Sequence, residues 1–254
     1  MPLNHSLAGR QAVVTGGTRG LGRMIAGQLA AAGASIALID LPQAIADADL
    51  PAGWAAFPAD LSQPDCRTGL EAIAASLGTV DIVVANAGVV PPWRGIKELD
   101  AAEWQRVMTI NVWGVAATLG AFAPALARSA HGSAVVMASI NGYKAHGQQV
   151  LYTASKHAVI GVMRAAALDM GADGTRVNAI APGPIATDAL VGRIAARHEH
   201  GGPSVEEALA AMAAETATGR MATEQQVADV ALWLASDLSA GVTGTVVPVE
   251  CGLK

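Results

Sequence analysis

Residues 11–33 read "QAVVTGGTRGLGRMIAGQLAAAG", and the order of features in this stretch predicts the fold. A short apolar run ends in Thr15, a glycine-rich turn follows, and an apolar helical pattern begins at once. Gly16, Gly20 and Gly22 would let the backbone approach a ligand closely, and the following helix offers free N–H groups and partial positive charge. This combination suits a pyrophosphate. The motif alone also fits a flexible turn between a strand and a helix.

The same alternation continues along the whole chain. We predict strands at 11–15, 35–39, 54–58, 81–85, 133–138, 176–181 and 244–249, and helices near 20–32, 63–77, 101–129, 151–171 and 224–235. Continuously apolar strands separated by helices are typical of a parallel sheet covered on both faces. The sequence therefore predicts an α/β fold, a doubly wound parallel sheet, as a single domain over residues 1–254. Residues 186–222 contain no strand pattern, and we expect a helical insertion or a mobile lid over the substrate.

Composition narrows the class of protein. With 254 residues, 52% of them hydrophobic and 15% charged, the chain suits one densely packed enzyme domain. A net charge of -5 without any basic run argues against a nucleic-acid partner. Cys66 and Cys251 lack metal or redox spacing, so we expect two buried free thiols. His198 and His200 have no third ligand nearby, so no metal is expected.

One segment approaches the length of a membrane span. Residues 107–127 carry no charged side chain, and a span needs roughly 20 apolar residues. Asn111 and Pro124 dilute this run, so we expect a helix buried on all sides, in part at a subunit interface, and no membrane partner. The N-terminal stretch "MPLNHSLAGR" lacks the charged and apolar regions of a signal peptide, which favours a cytoplasmic location.

Parallel sheets bind ligands at the carboxyl ends of their strands, so the residues after each run deserve inspection. The second run ends in Asp40, where a carboxylate would accept hydrogen bonds from an adenosine ribose and repel a 2′-phosphate. Arg19, inside the glycine turn, would attract such a phosphate. Because a carboxylate against a phosphate in a partly buried site costs more than one mobile arginine restores, the sequence favours NAD over NADP.

Later strand ends offer further contacts for a dinucleotide and a substrate. Asp60 and Leu61 could meet an adenine edge, although Asp60 or Ser62 could instead cap the following helix. "NAGVV" at 86–90 is small enough for a flat ring to pass close to its backbone. "PGPIAT" at 182–187 could wrap a carboxamide with backbone groups and Thr187.

The stretch "LYTASKHA" at 151–158 puts Tyr152 and Lys156 on one helical face. A phenol with a pKa of about 10 is a poor base, and lowering that pKa by about three units takes roughly 4 kcal/mol. A neighbouring ammonium and the charge of an oxidised nicotinamide could supply this in a site shielded from water. Such a tyrosine takes the proton of an alcohol while hydride leaves for the cofactor. Taken alone, the pair also fits a packing tyrosine and a surface lysine.

The set of motifs resembles the short-chain dehydrogenase/reductase family in its compact single-domain branch. "TGGTRGLG", "NAG", "INVWG", Ser139, "YTASK" and "PGPIAT" occur in the order and spacing of that family. The resemblance implies a Rossmann fold in which Tyr152 is the general acid and base and Lys156 lowers its pKa. It also implies that Ser139 polarises the substrate and that Asn111 holds a water of a proton relay. A homotetramer built through the helices near 107–127 and 151–171 is implied as well.

We therefore expect the catalytic residues Asn111, Ser139, Tyr152 and Lys156, and substrate contacts from Ser139, Asn141, His146 and Tyr152. The expected NAD-binding residues are Gly16, Thr18, Arg19, Gly20, Leu21, Gly22, Asp40, Asp60, Leu61, Asn86, Ala87, Gly88, Tyr152, Lys156, Pro182, Gly183, Ile185 and Thr187. His146 could also be an ordinary loop histidine, and Trp93 could cover the pocket or simply pack.

The predicted function is an oxidoreductase that transfers hydride between NAD and a secondary alcohol or ketone, such as a polyol, a sugar or an alicyclic alcohol. Two alternatives stay open. One is an NADPH-dependent reductase of 3-oxoacyl thioesters, which Arg19 favours and Asp40 opposes. The other is a dinucleotide-binding sensor without turnover, which would have no use for Asn111, Ser139 and Tyr152 together.

Overall fold

A computed structural model describes residues 6–253, in which seven strands form one parallel sheet. The strands are β1 (Gln11–Thr15), β2 (Ser35–Asp40), β3 (Ala55–Pro58), β4 (Ile82–Ala85), β5 (Ser133–Met137), β6 (Arg176–Pro182) and β7 (Val246–Val249). Their order across the sheet is β3-β2-β1-β4-β5-β6-β7. The chain thus reverses direction across the sheet between β1 and β4, where doubly wound folds form a ligand crevice. The predicted doubly wound parallel sheet is confirmed.

Nine α-helices connect the strands within the described residues. They are α1 (Gly20–Ala31), α2 (Pro42–Ala46), α3 (Cys66–Leu77), α4 (Ala101–Met108), α5 (Gly114–Leu126), α6 (Val150–Gly171), α7 (Asp188–His198), α8 (Val205–Ala214) and α9 (Glu224–Ala235). The short α2, which the sequence pattern missed, starts with a proline at its first turn. The strandless segment 186–222 is helical, as expected, and contains α7 and α8.

Each face of the sheet is covered by its own hydrophobic core. Val13 packs in the core beneath α3, α5 and α6, whereas its neighbour Val14 packs in the core beneath α1 and α9. Successive strand residues point to opposite faces, so an uninterrupted apolar strand serves both cores. In the parallel register, Ala12 lies between Ile36 and Ile82. The carboxyl ends of β1, β2 and β4 consequently lie together along one edge.

The long apolar helix contains a turn that the sequence pattern did not indicate. Between α4 and α5, Thr109–Trp113 forms a π-helical turn. Such turns occur mostly as single insertions in α-helices and frequently at functional sites. The fully buried Asn111 lies within this turn.

The helical span Ala101–Leu126 is long and apolar enough, by length and composition, to cross a membrane. Half of its most apolar window is buried inside the protein, and core helices of globular proteins pass the same test. Trp104 and Trp113 are each 38% exposed in the single chain, so the expected burial on all sides, in part at a subunit interface, stays a prediction. This helix therefore has a core face and a face that the single chain leaves open.

Both cysteines are free thiols. Cys66 is buried, and its burial raises the pKa of the thiol. Cys251 is partly exposed, so the expectation of two buried thiols is correct only for Cys66.

Candidate active site

A cleft of about 1830 Å³ lies at the carboxyl ends of the strands and extends beneath α7 and α8. All predicted cofactor and substrate residues border it except Thr18, and among the predicted catalytic residues only Asn111 stands behind its wall. Residues from six separate segments of the sequence therefore meet in one cavity. The residues converge because parallel sheets bind ligands at the carboxyl ends of their strands.

In the turn between β1 and α1, the backbone geometry leaves no room for a side chain at some of the glycines. Gly16 has φ +64°, and a Cβ there would lie 2.9 Å from the Cα of Ala87. A Cβ at Gly22 would lie 2.1 Å from the carbonyl oxygen of Gly16. Gly20 has φ +52° and faces open space. No side chain caps the start of α1, so its first N–H groups and the bare backbone of the turn fit a pyrophosphate.

Asp40 is held firmly at the end of β2. Its Oδ2 accepts hydrogen bonds from the backbone N–H of Thr18 at 3.1 Å and from the Thr18 hydroxyl at 2.7 Å. Its Oδ1 accepts from the backbone N–H of Leu41 at 2.9 Å. Thr18 therefore supports Asp40 and does not itself border the cleft, and its contact with a cofactor stays a prediction. Arg19 is exposed and takes part in none of the ion pairs among residues 6–253.

The wall between β1 and β4 is fastened by side chains. The Asn86 side-chain amide donates to the carbonyl oxygens of Thr15 and Gly16 at 3.0 and 3.1 Å. The Thr15 hydroxyl accepts from the backbone N–H groups of Asn86 and Ala87 at 3.0 and 3.1 Å. Because both strand ends are tied together, Ala87 and the exposed Gly88 border the cleft at a fixed distance from the glycine turn.

Asp60 accepts hydrogen bonds from residues of its own loop and does not cap a helix. Its carboxylate accepts from the Ser62 backbone N–H at 2.9 Å and from the Gln63 side chain at 3.0 Å. These hydrogen bonds lower the pKa of the Asp60 carboxyl. The capping alternative for Asp60 or Ser62 is wrong, because α3 begins only at Cys66.

Tyr152 and Lys156 lie one turn apart on α6 at the base of the cleft. Lys156 is 5% exposed, and its Nζ donates to the carbonyl oxygen of Met137 at 2.7 Å. The same Nζ lies 5.8 Å from the centre of the Tyr152 ring. Burial lowers the pKa of Lys156 to about 8. The ammonium is thus shielded from water and directed towards the carboxyl end of β5.

The pKa of the Tyr152 hydroxyl is raised because the group is buried. A hydrogen bond with Ser139 and the positive charge of Arg193 oppose this rise without cancelling it. The expected lowering of this pKa by Lys156 together with an oxidised nicotinamide stays a prediction. Arg193, which contributes to the local charge, was not identified from the sequence.

Asn111 joins the π-helical turn to the loop after β4. Its Oδ1 accepts from the Val89 N–H at 2.7 Å, and its Nδ2 donates to the Val89 carbonyl at 2.9 Å and to the Ser155 hydroxyl at 3.2 Å. Ser155 in turn donates to the carbonyl oxygen of Tyr152 at 2.8 Å. This chain connects three segments behind the cleft wall, and the sequence did not point to Ser155.

Three predicted substrate residues lie between β5 and α6. The Asn141 side chain donates to the Gln149 side chain at 2.8 Å and to the Thr153 hydroxyl at 3.3 Å, which braces the loop against α6. Ser139 accepts from the Asn141 N–H at 3.2 Å. His146 borders the cleft, and its buried Nδ1 has no hydrogen-bond partner among the described residues.

The segment after β6 leads into α7. Gly183 donates its N–H to the carbonyl of Val249 at 3.0 Å, and a Cβ there would lie 2.8 Å from the Cβ of Glu250. Ile185 is buried beside the cleft. Thr187 caps α7 by accepting from the Leu190 N–H at 3.2 Å. Within residues 6–253, no group of three or more His, Cys, Asp or Glu side chains could hold a metal ion.

The comparisons with known proteins match this chain to reductases and dehydrogenases. A family model described as enoyl-(acyl carrier protein) reductase matches residues 16–254. Cis-4-hydroxycyclohexanecarboxylate dehydrogenase of Sinomonas cyclohexanicum is 33% identical, and the alignment covers 98% of each chain. The 3-oxoacyl-acyl-carrier-protein reductase FabG of Escherichia coli K12 is 31% identical, with 96% of this chain and 97% of that protein covered. The solved structure of carveol dehydrogenase from Mycobacterium avium in complex with NAD has 30% identity and a TM-score of 0.87, covering 97% and 98% of the two chains.

Fold and cleft define a Rossmann-fold oxidoreductase of the kind that binds a nicotinamide dinucleotide. The chain belongs to the short-chain dehydrogenase/reductase family.

Proposed function

We propose that this protein is an NAD-dependent dehydrogenase that interconverts a secondary alcohol and a ketone, with a polyol, a sugar or an alicyclic alcohol as substrate. The observation that carries the proposal is the group formed by Ser139, Tyr152 and Lys156 at the base of the cleft. A phenol and a buried ammonium one helical turn apart suit proton transfer to and from an alcohol oxygen. The relative named for a cyclic hydroxy acid is consistent with an alicyclic substrate.

In this proposal, Tyr152 accepts the alcohol proton during oxidation and returns it during reduction. Bound oxidised nicotinamide would supply the hydride acceptor and a positive charge. Lys156 adds a second positive charge near the phenol, and Ser139 holds the substrate oxygen. Two cations favour the phenolate over the phenol, so the pKa that burial raises would fall when the reaction requires a base.

For the cofactor, we propose NAD. Asp40 is anchored by Thr18 and Leu41 at the end of β2, where its carboxylate could accept hydrogen bonds from an adenosine ribose. A 2′-phosphate at the same place would meet a fixed negative charge. The exposed Arg19 is the feature that favours NADP, and it lacks such anchoring.

The second candidate is an NADPH-dependent reductase of 3-oxoacyl thioesters. One relative is named a 3-oxoacyl-acyl-carrier-protein reductase, and Arg19, which favours NADP, borders the cleft. Asp40 opposes this candidate, because its carboxylate would repel the 2′-phosphate of NADPH. We also propose a cytoplasmic location, which the two free thiols support.

A panel of substrates tests the proposal. Purified protein is supplied with NAD or NADP and with polyols, sugars, alicyclic alcohols and 3-hydroxyacyl thioesters, and formation of the reduced cofactor is followed by absorbance. We expect reduction of NAD by a secondary alcohol. Turnover confined to thioesters with NADP would establish the second candidate, whereas tight dinucleotide binding without any turnover would establish a sensor.

A further inference from the structure

Two arginines of α7 lie over the ring of one tryptophan that borders the cleft. Trp93 lies in the loop after β4, and Arg193 and Arg197 lie one turn apart on α7. The guanidinium carbons lie 4.9 and 5.3 Å from the centre of the Trp93 ring. All three residues border the cleft. Stacking on an aromatic face holds a guanidinium plane in a fixed orientation while its N–H groups stay free for a ligand.

Among the described residues, Arg193 has no counter-ion. None of the ion pairs among residues 6–253 involves Arg193 or Arg197, whereas Arg10 pairs with Asp237 at 2.6 Å and Arg67 with Glu71 at 2.8 Å. The Nε of Arg193 is buried and has no hydrogen-bond partner among the described residues. A partly buried donor without a partner carries a free-energy cost, which a bound anion would remove.

This guanidinium is close to the reacting group. Its positive charge acts on the Tyr152 hydroxyl and lowers the pKa of that group, although burial has the larger, opposite effect. Asp188 and Glu215 also border the cleft, but both are exposed to solvent and neither pairs with Arg193. The positive charge at this end of the cleft therefore has no neutralising partner in the described part of the chain.

We propose that Arg193 binds a carboxylate of the substrate, so that the substrate class is hydroxy acids, secondary alcohols that also carry a carboxylate. Trp93 holds the guanidinium plane, and Arg197 adds positive charge one turn away. A guanidinium fork matches the two oxygens of a carboxylate. This inference rests on the proposed dehydrogenase function and narrows its substrates from neutral alcohols to anionic ones.

The test compares each hydroxy acid with its own primary amide, which has nearly the same shape and no charge. Three pairs cover an alicyclic, a short-chain and a polyol substrate: 4-hydroxycyclohexanecarboxylate, 3-hydroxybutanoate and gluconate, each beside its amide. We expect kcat/KM for the best acid to exceed that of its amide at least about tenfold. Arg193→Met should bring the acid to the level of the amide. The amide should also lose activity, but by a smaller factor than the acid, because the charge of Arg193 lowers the pKa of the Tyr152 hydroxyl.

Arg128→Met is the matched control. It removes the same charge from an exposed side chain that donates to the carbonyl of Gly78, close to the start of β4 and so at the opposite edge of the sheet. This variant should leave both acid and amide unchanged. Thermal unfolding of all three proteins checks that α7 and its surroundings stay folded.

Several results would overturn the inference while the dehydrogenase function survives. Equal turnover of acid and amide would do so, as would equal loss of both in Arg193→Met. If Arg193→Met raised the dissociation constant for NADH and left the preference for the acid unchanged, Arg193 would be assigned to the cofactor instead.

Absence of turnover with every alcohol would contradict the proposed function, and calorimetry then decides the inference separately. Cyclohexanecarboxylate and cyclohexanecarboxamide are titrated into the protein with NADH present. Tighter binding of the carboxylate that disappears in Arg193→Met supports the anion site, and equal binding of the two probes overturns it.

Discussion

Lys156 carries its charge in a place that water barely reaches. It is 5% exposed, its Nζ donates to the Met137 carbonyl, and burial lowers its pKa from 10.5 to about 8. A lysine whose pKa is lower in the folded than in the unfolded state binds fewer protons when folded, between the two pKa values. The free energy of unfolding therefore rises with pH from about 8 to about 10.5, by at most about 3 kcal/mol.

Urea unfolding of the protein and of Lys156→Met at a series of pH values measures this effect. Relative to the variant, the unmodified protein should gain stability as the pH rises from 8 to 10, because it loses a buried charge. Lys97→Met, which changes an exposed lysine, serves as the control. An identical pH dependence for Lys156→Met and the unmodified protein would refute the buried charge.

Asp40 should decide the choice between NAD and NADP. We expect the protein to prefer NAD in kcat/KM at least about tenfold, which corresponds to roughly 1.4 kcal/mol. Asp40→Ala should reduce this preference mainly by improving NADP, because the substitution removes a repulsion. The control is Asp47→Ala, which removes an exposed acid at the end of α2. Equal use of both cofactors by the unmodified protein would show that Arg19 outweighs Asp40.

At the scale of residues, the sequence predicted which positions come together and missed how some of them are bonded. Spacing alone put Tyr152 and Lys156 on one helical face, because the helical period is independent of context. That Thr18 supports Asp40, or that Ser155 joins Asn111 to α6, depends on segments far apart in the chain. No local pattern encodes such contacts.

At the scale of elements, the π-helical turn Thr109–Trp113 positions Asn111 against the loop after β4. Removing this side chain would leave the N–H and carbonyl of Val89 without their partners. Each buried group that loses its hydrogen bond costs about 1–3 kcal/mol. Asn111→Ala should therefore lower the free energy of unfolding by about 2–4 kcal/mol.

Denaturant unfolding measures this loss, with Gln105→Ala on the exposed face of α4 as the control. The control should stay within about 0.5 kcal/mol of the unmodified protein. Equal stability of the two variants would show that Asn111 does not fasten the loop.

The strands and long helices were predictable because apolar periodicity reports burial directly. The π-helical turn was not predictable, because one additional residue in a helical turn leaves the composition of the segment unchanged. In α7, the sequence showed two arginines four residues apart, but the orientation of this helix over Trp93 follows only from packing.

At the scale of the whole molecule, we propose a homotetramer. The apolar side chains Trp104, Trp113 and Leu168 are 38%, 38% and 82% exposed, and they lie on the long helix and on α6. Exposed apolar side chains on neighbouring helices are typical of an interface between subunits. Light scattering should give a mass four times that of the 25.6 kDa chain, and Leu168→Glu should lower that mass. A monomer at micromolar concentration would contradict the proposal.

The central claim is that Tyr152 exchanges a proton with the substrate, and one comparison of two variants tests it most directly. Tyr152→Phe removes only the hydroxyl, whereas Tyr143→Phe removes the hydroxyl of a tyrosine that is 43% exposed and outside the cleft lining. With the best alcohol of the panel and NAD, Tyr152→Phe should lose about 10² to 10⁴ in kcat while NADH binds as before, and Tyr143→Phe should stay active. A Tyr152→Phe variant that keeps half of its activity would contradict the mechanism.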